Sequence, residues 1–260
     1  MDGTVVVITG ASGGIGAAAA TAIAARGGSV VLVARREAEL KAVAEQCGPN
    51  ALVVVADVTR EDDVKRAAHE AIQRFGHVDV WVNNVGRGIT RAPSQLSEAD
   101  LDDMFRINVK SAMYGVWAIL PHFKERGSGQ VINVSSMLGR IPFAVFRSAY
   151  NGAKHFINAI TWNLRDELRD SHPGITVSLV SPPVVATEFG VNALHGGPDS
   201  RSLPAPQDVA EVAEVIVWTI AEKKLDVYTR PGSKGRVTEF FASVGEDPPA
   251  AVIAAAHASA

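Results

Sequence analysis

Seven short runs of β-branched and apolar residues recur along the chain, and longer segments with helical periodicity separate them. Near-continuous apolar runs of this length are typical of parallel strands covered by helices on both faces. The runs are VVVIT (5–9), SVVLVA (29–34), ALVVVA (51–56), VDVWVN (78–83), GQVINVS (129–135), GITVSLV (174–180) and LDVYTR (225–230). The alternation predicts an α/β protein with a doubly wound parallel sheet of the Rossmann type.

The segments between the runs predict the covering helices. They are 14–26, 37–46, 61–75, 97–124, 148–170 and 207–222. Ser97, followed three residues later by Asp100, indicates a capping box at the start of the fourth helix.

No linker divides the chain, so we expect a single domain over residues 1–250. Residues 184–206 form the longest irregular segment, which contains several glycine and proline residues. Long loops in compact α/β domains are often lids, and a passive surface insertion is the alternative. We assign no function to the alanine-rich tail at 251–260.

Composition and charge argue against several classes of protein. The formal net charge of −3 gives no broad attraction to nucleic acid or to an anionic membrane. The single Cys47 fits a reducing compartment, and the first apolar run is too short for a signal peptide or a membrane span. The histidines show no paired spacing typical of a metal site. We therefore expect a cytoplasmic protein with no metal and no nucleic-acid or membrane partner.

A glycine-rich turn follows the first predicted strand and precedes a helix. Its residues are Gly10, Ser12, Gly13, Gly14, Ile15 and Gly16. A strand, glycine turn and helix in this order let backbone N–H groups approach a phosphate at the positive end of the helix dipole. A merely tight turn is the alternative, but the first βα junction is where a Rossmann fold binds pyrophosphate.

The end of the second predicted strand bears on which nucleotide binds. An NAD site usually has an acidic residue about 20 residues beyond the glycine turn, where it binds the ribose 2′-hydroxyl. Here the strand ends in Arg35 and Arg36. Arginine pairs well with a 2′-phosphate, so NADP is favoured. The alternative is that both are solvated residues at a helix start.

Tyr150 and Lys154 are four residues apart in a predicted helix and so share a face. A free tyrosine has a pKa of about 10 and is a poor base near neutral pH. The Lys154 ammonium, together with the positively charged nicotinamide of the oxidised cofactor, would stabilise the phenolate, so we expect the two charges to lower the pKa of Tyr150.

The chain resembles the classical short-chain dehydrogenase/reductase family over nearly its whole length. The resemblance consists of six landmarks in order: TGASGGIG at 9–16, Asp57-Val58, NNVG at 83–86, Asn108, Ser136 and YNGAK at 150–154. It implies a seven-stranded sheet of order 3-2-1-4-5-6-7 and hydride transfer between NADP(H) and a carbonyl compound or alcohol. The alternatives are an NADP(H)-binding sensor or scaffold without turnover and an epimerase or dehydratase of the extended family.

The resemblance also implies roles for individual residues. Asn108, Ser136, Tyr150 and Lys154 look like the catalytic tetrad of the family. The cofactor-binding set would include the glycine turn, the two arginines, Tyr150 and Lys154, and it would add Asp57, Val58, Asn84, Gly86, Pro182, Val185 and Thr187. Helices 97–124 and 148–170 resemble the family's dimer faces, so a homodimer or homotetramer is expected.

Two departures from the family pattern affect the site. Ser136 precedes Tyr150 by 14 positions, one more than usual, so one extra residue lies in the intervening loop and could displace Ser135 or Ser136. Pro183 also stands where the family usually has glycine.

The expected substrate is a small hydrophobic carbonyl compound or alcohol. Two groups of apolar or aromatic residues would line its pocket or simply pack the loops: Met137, Leu138, Phe143, Val145 and Phe146 before the tyrosine, and Phe189, Leu194 and His195 in the lid.

Overall fold

The computed structural model describes residues 1–247, which form a seven-stranded parallel sheet with helices on both faces. The strands are β1 (Val5–Thr9), β2 (Ser29–Ala34), β3 (Ala51–Val55), β4 (Val80–Asn83), β5 (Gly129–Val134), β6 (Ile175–Ser181) and β7 (Asp226–Tyr228). Their order is β3-β2-β1-β4-β5-β6-β7, which confirms the predicted fold class and strand order. The predicted tail, 251–260, lies outside the described residues.

Eight α-helices connect or follow these strands in the described part of the chain. They are α1 (Gly14–Ala24), α2 (Glu37–Cys47), α3 (Glu61–Phe75), α4 (Glu98–Phe105), α5 (Ser111–Arg126), α6 (Ser148–Leu168), α7 (Val209–Ala221) and α8 (Ser233–Ala242). Five of the six predicted helices are confirmed to within about two residues at their ends. Helix α8 was not predicted.

The apolar strands bury side chains on both faces of the sheet. On one face, Ile8 and Leu32 pack with residues of α1, α2 and α7. On the other face, Val7 and Trp81 pack with residues of α3, α5 and α6. This two-sided burial is why the strands read as continuous apolar runs rather than as an alternating pattern. Because all seven strands run parallel, their carboxyl ends meet at one edge of the sheet, where the candidate site lies.

The predicted helix over 97–124 is interrupted, which corrects the prediction. A π-helical turn, Arg106–Lys110, separates α4 from α5. The capping box is present: Ser97 accepts a hydrogen bond from the backbone N–H of Asp100, and the Asp100 carboxylate accepts one from the backbone N–H of Ser97. Within residues 1–247, no helix is both long and apolar enough to cross a membrane.

Candidate active site

The glycine turn joins β1 to α1 and is shaped by close backbone approach. Gly10 and Gly14 have φ values of +71° and +54°, which side chains rarely adopt. A β-carbon on Gly16 would lie 2.4 Å from the Gly10 carbonyl oxygen, so only glycine allows the helix to start this close to the strand. A β-carbon on Gly14 would lie 3.3 Å from Thr187 Cγ2. The turn therefore faces Thr187, another residue of the predicted cofactor-binding set.

Arg36 lies across the glycine turn. Its guanidinium donates to the Ser12 hydroxyl at 3.1 Å and to the Ser12 carbonyl at 3.0 Å, and it contacts Glu39 at 3.3 Å. Arg35 is exposed, and its charge acts on Asp57. The two arginines thus lie at different places, and Arg36 is the one held against the turn. The turn and Arg36 fit a dinucleotide phosphate because both present N–H donors at one helix N-terminus.

Asp57 and Asn84 also belong to the predicted cofactor-binding set. Although partial burial raises the pKa of Asp57, hydrogen bonds from the Thr59 backbone and hydroxyl, followed by the charges of Arg35 and Arg106, lower it overall. Val58 is buried beside it. The Asn84 amide donates to the Thr9 carbonyl at 3.0 Å, so it fastens the end of β4 to the glycine turn.

Tyr150 and Lys154 project from α6 into the body of the protein, and both are more than nine-tenths buried. The Lys154 ammonium lies 5.7 Å from the centre of the Tyr150 ring and donates to the Val134 carbonyl at 2.9 Å. Burial lowers the pKa of Lys154 to about 8. The predicted pair is therefore close in space and is enclosed at the end of β5.

In the protein without a cofactor, burial has the largest effect on the pKa of Tyr150. Burial raises the pKa of Tyr150 to about 12, and the opposing effects come from a hydrogen bond with Ser136 and from the positive charge of Arg147. The reason is desolvation. Burial removes the hydration that stabilises the phenolate anion, and nearby groups replace only part of that stabilisation.

Ser136 is the serine that meets Tyr150, despite the longer spacing. Its hydroxyl accepts a hydrogen bond from the Leu138 backbone at 3.1 Å and lies near enough to the Tyr150 phenol to lower its pKa. The Ser135 hydroxyl instead donates to Asn158 on α6 at 2.5 Å. The additional residue is accommodated in the loop before α6.

Asn108 lies in the π-helical turn and is buried. Its amide donates to the carbonyls of Met104 and Arg87, both at 3.0 Å, and its carbonyl accepts from the Arg87 backbone at 3.0 Å. A β-carbon on Gly86 would lie 3.1 Å from Asn108 Oδ1 and 3.4 Å from Lys154 Nζ. Gly86, Asn108 and Lys154 therefore meet at one point. Single π turns are frequent at functional sites.

The segment after β6 is held by backbone hydrogen bonds. The Pro182 carbonyl accepts from the Met137 backbone at 2.8 Å, and Gln207 pairs with the backbone on both sides of Val185. Thr187 carries the methyl group that meets the glycine turn. Pro183 lies in this paired stretch without a positive φ, so the local backbone does not depend on a glycine there.

The predicted lid closes over Tyr150. The Phe189 ring lies 5.4 Å from the Tyr150 ring, and Leu194 pairs through its backbone with Gly88 and Thr90. Leu138, Phe189 and Leu194 pack around Tyr150. By contrast, three of the residues expected to line the pocket are more than half exposed: Phe143, Val145 and Phe146.

An ion-paired cluster fastens the lid to α4 and was not predicted. His195 Nε2 lies 2.6 Å from Asp100 Oδ1, and Arg91 donates to Asp100 Oδ2 at 2.8 Å. Hydrogen bonds from Ser97, His195 and Arg91 hold the pKa of the Asp100 carboxyl well below its usual range, although burial opposes them. His195 therefore anchors the lid to α4, which matches the loop-packing alternative and not a position that lines the substrate pocket. Among residues 1–247, no group of three or more histidine, cysteine or acidic side chains is arranged to hold a metal.

The doubly wound sheet, its glycine turn and the buried serine, tyrosine and lysine at the same edge are features of an α/β oxidoreductase. The chain belongs to the short-chain dehydrogenase family, whose model matches residues 4–196. It is 36% identical over 218 residues to an uncharacterized oxidoreductase of Staphylococcus epidermidis, covering 84% of this chain and 91% of the relative. It is 35% identical over 233 residues to the uncharacterized oxidoreductase YxnA of Bacillus subtilis, covering 86% of this chain but 64% of that relative.

Solved structures of the same family share this fold. A short-chain dehydrogenase/reductase from Burkholderia phymatum in complex with NAD aligns with a TM-score of 0.84 and 25% identity, over 95% of this chain and 98% of that one. An alcohol dehydrogenase from Thermococcus sibiricus complexed with 5-hydroxy-NADP aligns with a TM-score of 0.75 and 26% identity, over 86% and 95%. Relatives with this fold therefore include one solved with NAD and one solved with an NADP derivative.

Proposed function

We propose that the chain is an NADP(H)-dependent oxidoreductase that interconverts a ketone or aldehyde and the corresponding alcohol. The observation that supports this most directly is the buried Tyr150 side chain, whose phenol is influenced by the Ser136 hydroxyl and whose ring centre lies 5.7 Å from the Lys154 ammonium. All three lie at the carboxyl edge of the sheet with the glycine turn. A binding protein without turnover would have no need of a buried acid and ammonium beside its nucleotide site.

Each residue then has a chemical role in carbonyl reduction. Bound NADPH supplies the hydride. The Tyr150 hydroxyl gives its proton to the carbonyl oxygen, and Ser136 donates a hydrogen bond to the same oxygen as negative charge develops. Burial raises the pKa of Tyr150 to about 12, so the phenol holds a proton at neutral pH that it can give to the substrate oxygen as negative charge develops there. In oxidation the same oxygen accepts the alcohol proton.

Lys154 and Asn108 support this acid. Lys154 would bind the nicotinamide ribose through its ammonium group, and the Asn108 side chain fixes the backbone of Arg87 beside Lys154. An NADPH-consumption assay over aldehydes, aliphatic and aromatic ketones, and steroids tests the proposed activity. Consumption with at least one carbonyl class is expected, and none with any class would contradict it.

The preference for NADP(H) over NAD(H) is supported by Arg36 and by the lack of an acid at the end of β2. We predict that NADPH raises the Tm of the protein more than NADH does. Arg36→Ala should narrow that difference more than Arg35→Ala, because Arg36 is the arginine held at the glycine turn. Differential scanning fluorimetry with both nucleotides measures this. Equal shifts for the two nucleotides in the unmodified protein would refute the preference.

We also propose that the chain forms a homodimer or homotetramer through α4, α5 and α6. These helices expose large apolar side chains, namely Leu101, Phe105, Trp117, Phe156 and Trp162. Phe105 and Phe156 contact each other edge to face at 5.1 Å, which joins α4 and α6 into one apolar surface. Exposed patches of this kind mark association sites. Sedimentation should give at least a dimer, and Trp117→Glu should shift it toward monomer.

A further inference from the structure

Arg147 is an arginine without an acidic partner beside Tyr150. Its Nη1 donates to the Ile89 carbonyl and to the Thr90 hydroxyl, both at 3.1 Å. Within the described residues its Nε and Nη2 donate no hydrogen bond, and no carboxylate lies within 4.0 Å of it. Two other arginines near the lid, Arg91 and Arg201, are each paired with an acid.

The surroundings of Arg147 are unfavourable for a positive charge. The side chain is partly buried, and burial lowers the pKa of its guanidinium. It also precedes the first turn of α6, where the positive end of the helix dipole opposes a cation. A partly desolvated charge is normally compensated by an opposite one. A bound anion would supply that charge, and the two unbonded N–H groups form the edge of the guanidinium that a carboxylate matches with two parallel hydrogen bonds.

The guanidinium lies close to the reacting groups. A β-carbon on Gly88 would be 2.8 Å from Arg147 Nη1 and 3.0 Å from Phe189 Cε1, so these two side chains meet over Gly88. The Phe189 ring is in turn 5.4 Å from the Tyr150 ring. The charge of Arg147 also reaches the phenol, whose pKa it lowers. A small molecule at Tyr150 is therefore within reach of Arg147.

We propose that Arg147 binds a carboxylate of the substrate, so that the enzyme acts on carbonyl compounds that join an apolar body to a carboxylate. The apolar body would contact Leu138, Phe189 and Leu194, which pack around Tyr150. A single free guanidinium edge fits a singly charged carboxylate better than a doubly charged phosphate. The proposal rests on the proposed function and narrows its substrate class.

The test compares acids with their neutral esters. The probes are 3- and 4-formylbenzoate and benzoylformate, each against its methyl ester, with NADPH as reductant. We expect at least one acid to have a higher kcat/KM than its ester. In Arg147→Gln the ratio of acid to ester should fall by at least about tenfold, since a charge-assisted bidentate contact is lost. Arg147→Lys, which keeps the charge without the fork, should give an intermediate ratio.

Arg201→Gln is the matched control, because it removes a positive charge from the lid that Asp199 already neutralises. Its ratio of acid to ester should stay within about twofold of the unmodified protein. A fall as large as that of Arg147→Gln would assign the preference to the general positive field and overturn the proposal. An equal loss for acid and ester in Arg147→Gln would also overturn it, because Arg147 would then only brace residues 88–90.

A binding measurement separates this proposal from the proposed function. If no carbonyl is reduced, the proposed function fails, and calorimetry with the NADP⁺-loaded protein then tests the carboxylate site alone. The probe is 4-(hydroxymethyl)benzoate against its methyl ester. Preferential binding of the acid that weakens at least about tenfold in Arg147→Gln supports the site. Equal binding of acid and ester overturns it.

Discussion

Tyr150→Phe is expected to lower kcat for carbonyl reduction by about a thousandfold while the Kd for NADPH changes less than about threefold. The substitution removes the only hydroxyl proposed to protonate the substrate, and general acid catalysis commonly contributes 10²–10⁴-fold. The ring itself is kept, so its packing against Phe189 is preserved. Stopped-flow or steady-state absorbance of NADPH gives kcat, and fluorescence titration gives the Kd.

Tyr114→Phe is the matched control for the loss of a phenol. Tyr114 lies on α5 and contacts Trp117 at 5.8 Å, away from Ser136 and Lys154. Its kcat should stay within about twofold of the unmodified protein. If Tyr150→Phe kept more than about a tenth of the activity, the phenol would not be the proton donor and the proposed mechanism would fail.

Lys154→Met is expected to abolish most activity and yet to stabilise the protein. Burial lowers the pKa of Lys154 from 10.5 to about 8. A lysine whose pKa is lower in the folded protein destabilises the fold below pH 8, here by about 3 kcal/mol at pH 7. Loss of the hydrogen bond to Val134 offsets about 1 kcal/mol of the gain. We therefore expect Tm at pH 7 to rise by roughly 4 °C or more and kcat to fall by about a hundredfold or more.

The buried Lys154 should also make the stability of the protein depend on pH. Between pH 8 and pH 10.5 the unfolded chain holds a proton that the folded lysine has released, so the free energy of unfolding rises with pH in this window. Lys154→Met should lack that rise, whereas Lys110→Met, which removes an exposed lysine, should retain it. A decrease in Tm for Lys154→Met at pH 7 would contradict the assigned burial of its charge.

The sheet could be predicted from sequence because its signals are local. Apolar runs such as that at 29–34 are buried on both faces, and Ser97 with Asp100 carries the cap of α4 within four residues. The glycine turn could also be predicted from sequence, because Gly10 and Gly16 allow the backbones of two consecutive elements, β1 and α1, to approach each other closely. Tyr150 and Lys154 were visible through their helical spacing, and the order of the landmarks revealed the family.

The features that sequence reasoning missed depend on contacts between distant segments. The π turn forms where Asn108 bonds to the backbone of Arg87, 21 residues away. His195 meets Asp100 across 95 residues. The raised pKa of Tyr150 depends on how completely the lid and α6 exclude water from the phenol. The spacing of residues in the sequence does not indicate this degree of burial.

The central claim is that hydride from bound NADPH reaches a carbonyl carbon while Tyr150 protonates the oxygen. The most direct measurement uses NADPH deuterated at C4, in each stereochemical form, with the best carbonyl from the activity assay and mass spectrometry of the product. We predict that one form places a single deuterium on the carbinol carbon with the unmodified protein and that Tyr150→Phe forms almost no product. Alcohol formed without deuterium from either form, or formed equally by Tyr150→Phe, would contradict the account.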